Sequence, residues 1–283
     1  MSITHARLTI PLSLLGCLCA MPAAADTTFF DTGSPDGLIA TATRPTSTGK
    51  FEIESADDFV LTHGTSITDA TFTGLIPSGA KATSVIVEIY RVFPKDSDTT
   101  RTSGPPTFKT SQVPTRVNSP SDVAFADRDS GSGLSFSTDV LSTSFTVLNS
   151  VTPGGIHPDP NFHTGGNGQI TGEEVEFDVT FATPFLLPAD HYFFVPQVQL
   201  DSGDFLWLSA TKTIPAPADL QSWTRDAALE PDWLRVGTCG AKNLRPARAP
   251  DIRIVRKYPV DFDDDFRRAR SGRDQAGEGR VGD

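Results

Sequence analysis

The sequence predicts an all-β protein: a single antiparallel β-sandwich domain of jelly-roll type, with long loops and a disordered C-terminal tail. Three observations predict it. Val175, Phe177, Val179 and Phe181 alternate with Glu174, Glu176, Asp178 and Thr180, which is the period-2 pattern of a strand with one apolar and one acidic face. Short runs of this kind, about nine to eleven over roughly 210 residues, recur between clusters of Gly, Pro, Asn, Asp and Ser. No stretch carries the apolar stripe of an amphipathic helix. A sheet with one apolar face must bury it against a second layer, and a core of this size needs no disulfide.

Residues 1–25 read as a secretory signal peptide. His5 and Arg7 precede an apolar run from Leu8 to Ala20, and Ala23-Ala24-Ala25 makes a small-residue cleavage site ahead of Asp26. Leu14-Leu15-Gly16-Cys17 also admits a lipoprotein acylation site. The sandwich is expected over 26–238. Thr27–Phe30 and Gly37–Thr43 are short β-rich runs on either side of the turn cluster Asp31 to Asp36. Phe51, Ile53 and then Phe59 to Leu61 suggest further strand, broken near Ala56-Asp57-Asp58. Ile67 to Leu75 sets Ala70, Phe72 and Gly74 against Asp69, Thr71 and Thr73. Ser84 to Phe93 is apolar on both faces, as a central strand is.

Pro94–Gly133 has no period and reads as a long excursion, with a short strand expected near Val123–Ala126. Leu134–Val151 is β-like, and Val151–Gly172 is a Gly/Pro/Asn loop. Gly172 to Ala210 then reads as three consecutive antiparallel strands. The alternating run comes first, and a Pro-bounded corner follows at Pro184 to Pro188. A second run places Tyr192, Phe194, Val198 and Leu200 on one face. The turn Asp201-Ser202-Gly203-Asp204 sends the chain back through Phe205 and Trp207. Ile214–Asp232 reads as a connection with one helical turn, and Trp233–Val236 as a closing strand.

Charge divides the chain unevenly. Residues 26–238 carry net −15, whereas 239–283 carry net +3 and are rich in Arg, with Arg267-Arg268-Ala269-Arg270 and few apolar residues. That composition buries too little surface to offset chain entropy, so 239–283 is expected to be mostly disordered. The acidic body repels phosphate backbones and anionic lipid, which argues against nucleic acid and direct membrane binding. Beyond the signal peptide no run approaches the ~18 apolar residues of a membrane span. Cys17 and Cys19 leave with that peptide, so Cys239 stands alone and no disulfide or Cys-based metal site is expected. This pattern suits an exported bacterial protein of the periplasm, cell surface or medium.

Two segments carry a resemblance. Ala56-Asp57-Asp58-Phe59-Val60-Leu61 early, and Phe185-Leu186-Leu187-Pro188-Ala189-Asp190-His191-Tyr192-Phe193-Phe194 late, are similar to paired strands in exported bacterial β-sandwich surface proteins that bear a C-terminal Pro-Glu-Pro sorting anchor (the PEP-CTERM, or choice-of-anchor, type). The resemblance covers roughly residues 27–236 and implies a sandwich and export rather than an activity. After Val236 the sequence shows neither Pro-Glu-Pro nor an apolar anchor helix.

Several residue groups could carry chemistry. Asp31-Thr32-Gly33-Ser34, Asp129-Ser130-Gly131-Ser132 and Asp201-Ser202-Gly203 copy the aspartic-protease signature, in which two carboxylates share a proton. Ordinary turn text is the stronger reading, since Asp bonds the backbone two residues on and neither Pro35-Asp36-Gly37 nor Asp204-Phe205 extends the protease pattern. His157, Asp159, His163 and His191 fit no established zinc spacing. Asp96, Asp98, Asp127 and Asp129 offer hard oxygens to calcium, a better fit than zinc, and no other cofactor is expected. Trp207, Trp223 and Trp233 could form a stacking platform for sugars, although buried aromatics explain them more readily. No catalytic residue is assigned. The expectation is a non-catalytic exported module, structural or interacting with a protein partner, with glycan binding as the alternative and aspartic protease behind it.

Overall fold

The computed structural model describes residues 27–101, 116–156, 163–164, 166–211, 219–237 and 252–256. The expected signal peptide and most of the Arg-rich stretch lie outside them. Within them the chain is an all-β sandwich of two sheets, and alternation decides which side of each strand turns inward. β10 (Ile170–Leu187) buries Val175, Phe177, Val179 and Phe181 and leaves Glu174, Glu176 and Asp178 on the other side.

The first sheet is organised on β4 (Thr65–Ile76). One edge of β4 pairs along its length with β10, beyond which lies β7 (Leu134–Val147). The other edge takes two short strands in tandem. β15 (Ile252–Arg256) pairs with Ile67 to Phe72, and β12 (Leu206–Ala210) pairs with Gly74 and Leu75. β1 (Thr27–Asp31) continues the sheet beyond β15, while β2 (Pro35–Ala42) and then β8 (Asn149–Val151) continue it beyond β12. The sheet therefore forks at Thr73. The second sheet runs β6 (Ala126–Asp129), β5 (Ala82–Arg91), β11 (Asp190–Leu200), β3 (Ile53–Leu61), β13 (Trp223–Asp226), β14 (Leu234–Val236), β9 (His163–Thr164).

Between the sheets lies an aromatic core. Phe72 stacks on Phe177 with ring centroids 5.1 Å apart, and Phe205 meets both edge-on at 5.9 and 5.2 Å. Phe59 stacks on Tyr192 at 5.7 Å, and Phe194 leans on Trp207 at 6.1 Å. Such pairs add about 0.5–1.5 kcal/mol each beyond the area they bury. Gly74 is what lets Phe205 in: a Cβ there would stand 2.0 Å from the ring.

The structure departs from the sequence expectation in five places. β10, β11 and β12 are not side-by-side neighbours: β10 and β12 belong to the first sheet and β11 to the second. Alternation marks a buried face and is silent on whether the next strand lies beside it or across the core. The Pro184 corner is a register break within one long strand, between Thr180 and Phe185 against β4. β3 runs unbroken through Ala56-Asp57-Asp58, because both carboxylates find partners. Ser222 Oγ donates to Asp57 at 2.9 Å, while the Leu220 N–H donates to Asp58 at 3.1 Å and His191 Nε2 lies 2.5 Å from it. The connection before Trp233 holds a strand ahead of its single turn: Trp223–Asp226 forms β13, and the Leu229 and Glu230 N–H groups then donate to the Asp226 carbonyl at 3.0 Å. Within the Arg-rich stretch, Ile252–Arg256 forms β15 between β1 and β4.

β11 is buried on both faces. Tyr192, Phe194 and Val198 enter the sandwich core, while Phe193 and Val195 pack outward with Ala56, Tyr90, Trp223 and Trp233. A third layer of loops thus covers the second sheet, and Leu206 and Leu208 of β12 pack with Ala40, Ala42 and Leu75 in a further cluster, so the open face of the first sheet is the outer side of β10 and its neighbours.

Candidate functional site

The open face is built by the strand period. Val175, Phe177 and Val179 point into the core, so Glu174, Glu176 and Asp178 must point out of it. Register then sets hydroxyls beside them: Thr73 of β4 is opposite Glu176, and Thr71 is opposite Asp178. On the β7 side, Ser142 is opposite Glu174 and Val140 opposite Val175, so Leu141 is an inserted residue. A bulge of this kind re-aims a side chain, and Leu141 forms one wall. The link from β1 to β2, with Asp31, Gly33, Ser34 and Pro35, forms the other. Together they enclose a groove of about 670 Å³, within the roughly 300–1,000 Å³ usual for ligand pockets.

The groove is electronegative. Its carboxylates are Asp31, Glu174, Glu176 and Asp178, and Arg253 of β15 stands opposite both Asp31 and Thr71 in register. Partial burial, and then the neighbouring Glu176 charge, push the Glu174 carboxyl above its ordinary value. Ser142, opposite Glu174, turns its hydroxyl to the Ser144 carbonyl at 3.2 Å. Asp178 is better served, accepting from Thr71 Oγ1 at 2.8 Å. Thr73 is only 1% exposed and its Oγ1 has no hydrogen-bond partner. An orphaned buried hydroxyl costs roughly 1–3 kcal/mol, so the floor of this groove is under-satisfied as it stands.

The residues singled out from the sequence lie elsewhere. Trp207, Trp223 and Trp233 are 1%, 2% and 3% exposed. Trp207 is in the sandwich core, Trp223 donates Nε1–H to the Leu220 carbonyl at 3.0 Å, and Trp233 donates to the Ser121 carbonyl at 3.1 Å. None offers a ring face to a sugar, which corrects the stacking platform. The four calcium candidates do not converge. Asp96 receives both guanidinium donors of Arg91, and Asp98 accepts from the Thr100 N–H and hydroxyl at 2.9 and 2.7 Å. Asp127 and Asp129 lie on β6, where Asp129 accepts from the Gly131 N–H at 2.7 Å. Among the described residues no three His, Cys, Asp or Glu side chains group to hold a metal. His157 and Asp159 lie outside the described residues.

The three Asp-x-Gly turns are also dispersed. Asp31 ends β1 in the first sheet and accepts from Gly33 N–H at 2.7 Å. Asp129 sits on β6 opposite Ile86 of the second sheet. Asp201 occupies the β11–β12 turn and accepts from Lys81 N–H at 2.9 Å. Asp31 and Asp129 each serve their own turn, Asp201 reaches across to the β4–β5 turn, and no carboxylate pair of protease type forms from them.

A second polar cluster was not anticipated from the sequence. Under the third layer, Arg225 donates to both oxygens of Glu54, Tyr90 OH donates to Glu54 at 2.6 Å, and Gln197 Nε2 bridges Glu52 at 3.0 Å and Glu88 at 3.2 Å. Its members come from β3, β5, β11, β13 and, for Glu52, the residue before β3, so no local pattern announces it. The groove had a local signal, the acidic alternation of β10, but its walls come from residues distant in the chain.

No family model, curated protein or solved structure matches this chain. No helix among the described residues is long and apolar enough to cross a membrane.

Proposed function

We propose that this protein is a non-catalytic exported binding module, and that the acidic groove on the open face of its first sheet is the contact surface. The observation that carries the reading is the groove itself, about 670 Å³ of concave space floored by Glu174, Glu176 and Asp178 and an orphaned Thr73 hydroxyl. A concave site with a few convergent polar groups is where ligands bind. A binding role also accounts for rigidity: the groove floor is two long paired strands whose opposite faces are locked in the aromatic core, and sites on such elements need little ordering on binding.

The test compares wild type with E174Q/E176Q/D178N for retention on envelope protein fractions and on envelope polysaccharide in affinity electrophoresis. Retention that the variant loses supports the reading. Equal retention, or release of fragments from a retained polymer, overturns it. Export is tested separately by the mass of the chain recovered from periplasm or medium, expected to begin at Asp26.

A further inference from the structure

Five strands stand at the edges of the two sheets, and four of them are short. β1 has five residues, β6 four, β8 three and β9 two. β7 has fourteen, and among the described residues it pairs only with β10. Folded chains keep an edge strand from pairing by shortness, by Lys or Pro, or by a bulge. Leu134–Val147 carries no Lys, Arg or Pro and a single charge, Asp139. Its bulge at Leu141 comes late enough to leave Leu134 to Val140 regular against Phe181 to Val175. Leu134, Phe136, Thr138 and Val140 share a face with Phe181, Val179, Phe177 and Val175, all of them core residues. Thr138 is nevertheless exposed, and Val140 is 57% exposed. The second sheet therefore does not reach under this part of β7.

We propose that β7 is a dimer edge, where Leu134 to Val140 pairs antiparallel with the same residues of a second copy about a two-fold axis through Ser137. The regular run fixes that centre, since it starts at the first residue of the strand and stops at the bulge. In this register the run complements itself. Val140 of each copy meets Leu134 of the other, Phe136 meets Thr138, and Asp139 meets Ser135, whose hydroxyl can donate to it. The two Asp139 carboxylates lie four residues apart along the pair, roughly 14 Å, beyond the Debye length of about 10 Å at 0.1 M salt. A two-fold axis makes every one of these contacts twice from one patch. The axis is perpendicular to the sheet, so both acidic grooves open on the same side of the joined pair. The pairing holds whether or not the groove is the binding surface.

The experiment is sedimentation equilibrium of the exported chain over a range of concentrations, at low and at high salt. The mass is expected to rise from one chain to two and no further, more readily at high salt because both bodies are acidic. Ser137→Lys sets two ammonium groups against each other on the axis and is expected to raise the dissociation constant at least about tenfold. Melting of dilute, monomeric samples should be unchanged by it, because Ser137 is exposed. With Cys239 replaced by Ser, Ser137→Cys is expected to oxidise to a covalent dimer, since pairing brings opposite Cα atoms within about 5.5 Å. Ser135→Cys, four residues from its own copy, is expected not to. A chain that stays monomeric or grows past two overturns the proposal. So does a dimer that S137K leaves intact, or a crosslink as ready at Ser135 as at Ser137. A dimer kept in S137K and lost on removing residues 257–283 assigns the contact to that stretch and overturns it as well.

Discussion

Arg225 grips Glu54 with two donors, Nε to one carboxylate oxygen and Nη2 to the other at 3.0 Å, while its guanidinium lies 4.3 Å from the Trp233 ring centroid. Both charges are almost fully buried. This pair ties β13 to β3, its neighbour in the second sheet. Removing one partner strands a charge in a dry site, which costs about 3–5 kcal/mol. Arg225→Ala is therefore expected to lower urea-unfolding stability by that amount. Adding Glu54→Gln should recover part of it, since the stranded carboxylate is then neutral. Additive losses in the double variant would show that the two side chains do not act as a pair.

Glu88 faces Glu54 of β3 and Glu52 just before it, Tyr90 from its own strand, Gln197 from β11 and Arg225 from β13. Burial first, then the Glu54 charge and a hydrogen bond with it, push the Glu88 carboxyl from 4.5 up to about 8. A carboxyl raised on folding is protonated in the native state where the unfolded chain has already lost its proton. Its stabilisation is full below pH 4.5 and drains away as pH rises through about 8. Glu88→Gln mimics the protonated form, so the fall in stability between those pH values should flatten. Chemical denaturation of wild type and E88Q across that range measures it. An unchanged slope would mean that Glu88 is ionised in the folded protein at neutral pH.

How much of this was legible beforehand depends on the range over which a residue finds its partners. The alternation around Phe177 names the buried and exposed faces of β10 correctly, because period and burial are local properties of one strand. Asp57 and Asp58 look like a break, since adjacent carboxylates read as solvent-seeking. Ser222, Leu220 and His191, distant in sequence, make them interior. Trp223 and Trp233 read more readily as core than as platform, and the side chains that bury them come from β3, β5, β11 and the loops at Ala124 and Leu220. Glu174, Glu176 and Asp178 were readable as an acidic face. That the face is a groove depends on the Leu141 bulge and on the β1–β2 link, and neither is encoded near them.

Gly74 is the close-approach point of the core. An added Cβ would meet Phe205 carbons at 2.0 and 2.4 Å and the Leu206 carbonyl oxygen at 2.9 Å. The ring cannot swing clear, because Phe72 and Phe177 hold it edge-on, and the carbonyl belongs to a paired strand. Gly74→Ala should destabilise by about 1–3 kcal/mol through overpacking, read as a lower urea midpoint. Adding Phe205→Leu should return part of that loss. A G74A protein as stable as wild type would mean that β12 can shift away from β4 at no cost.

β15 closes two edges at once. Arg253 to Arg256 pair with Asp31 to Thr27 on one side, and Ile252 to Arg256 pair with Phe72 to Ile67 on the other. Without these five residues β1 loses the neighbour that joins it to the sheet, and one edge of β4 becomes bare from Ile67 to Phe72. Exposed strand edges of that length pair with other chains. A chain ended at Pro250 is therefore expected to melt at lower temperature and to aggregate with rising concentration, and protease should cut it first near Thr27 to Asp31. A chain ended at Lys257, which keeps β15, should do neither. Light scattering and limited proteolysis of the two truncations separate the cases. If the shorter chain stays free of aggregates with β1 protected, β15 is not what joins the N-terminal strand to the sandwich.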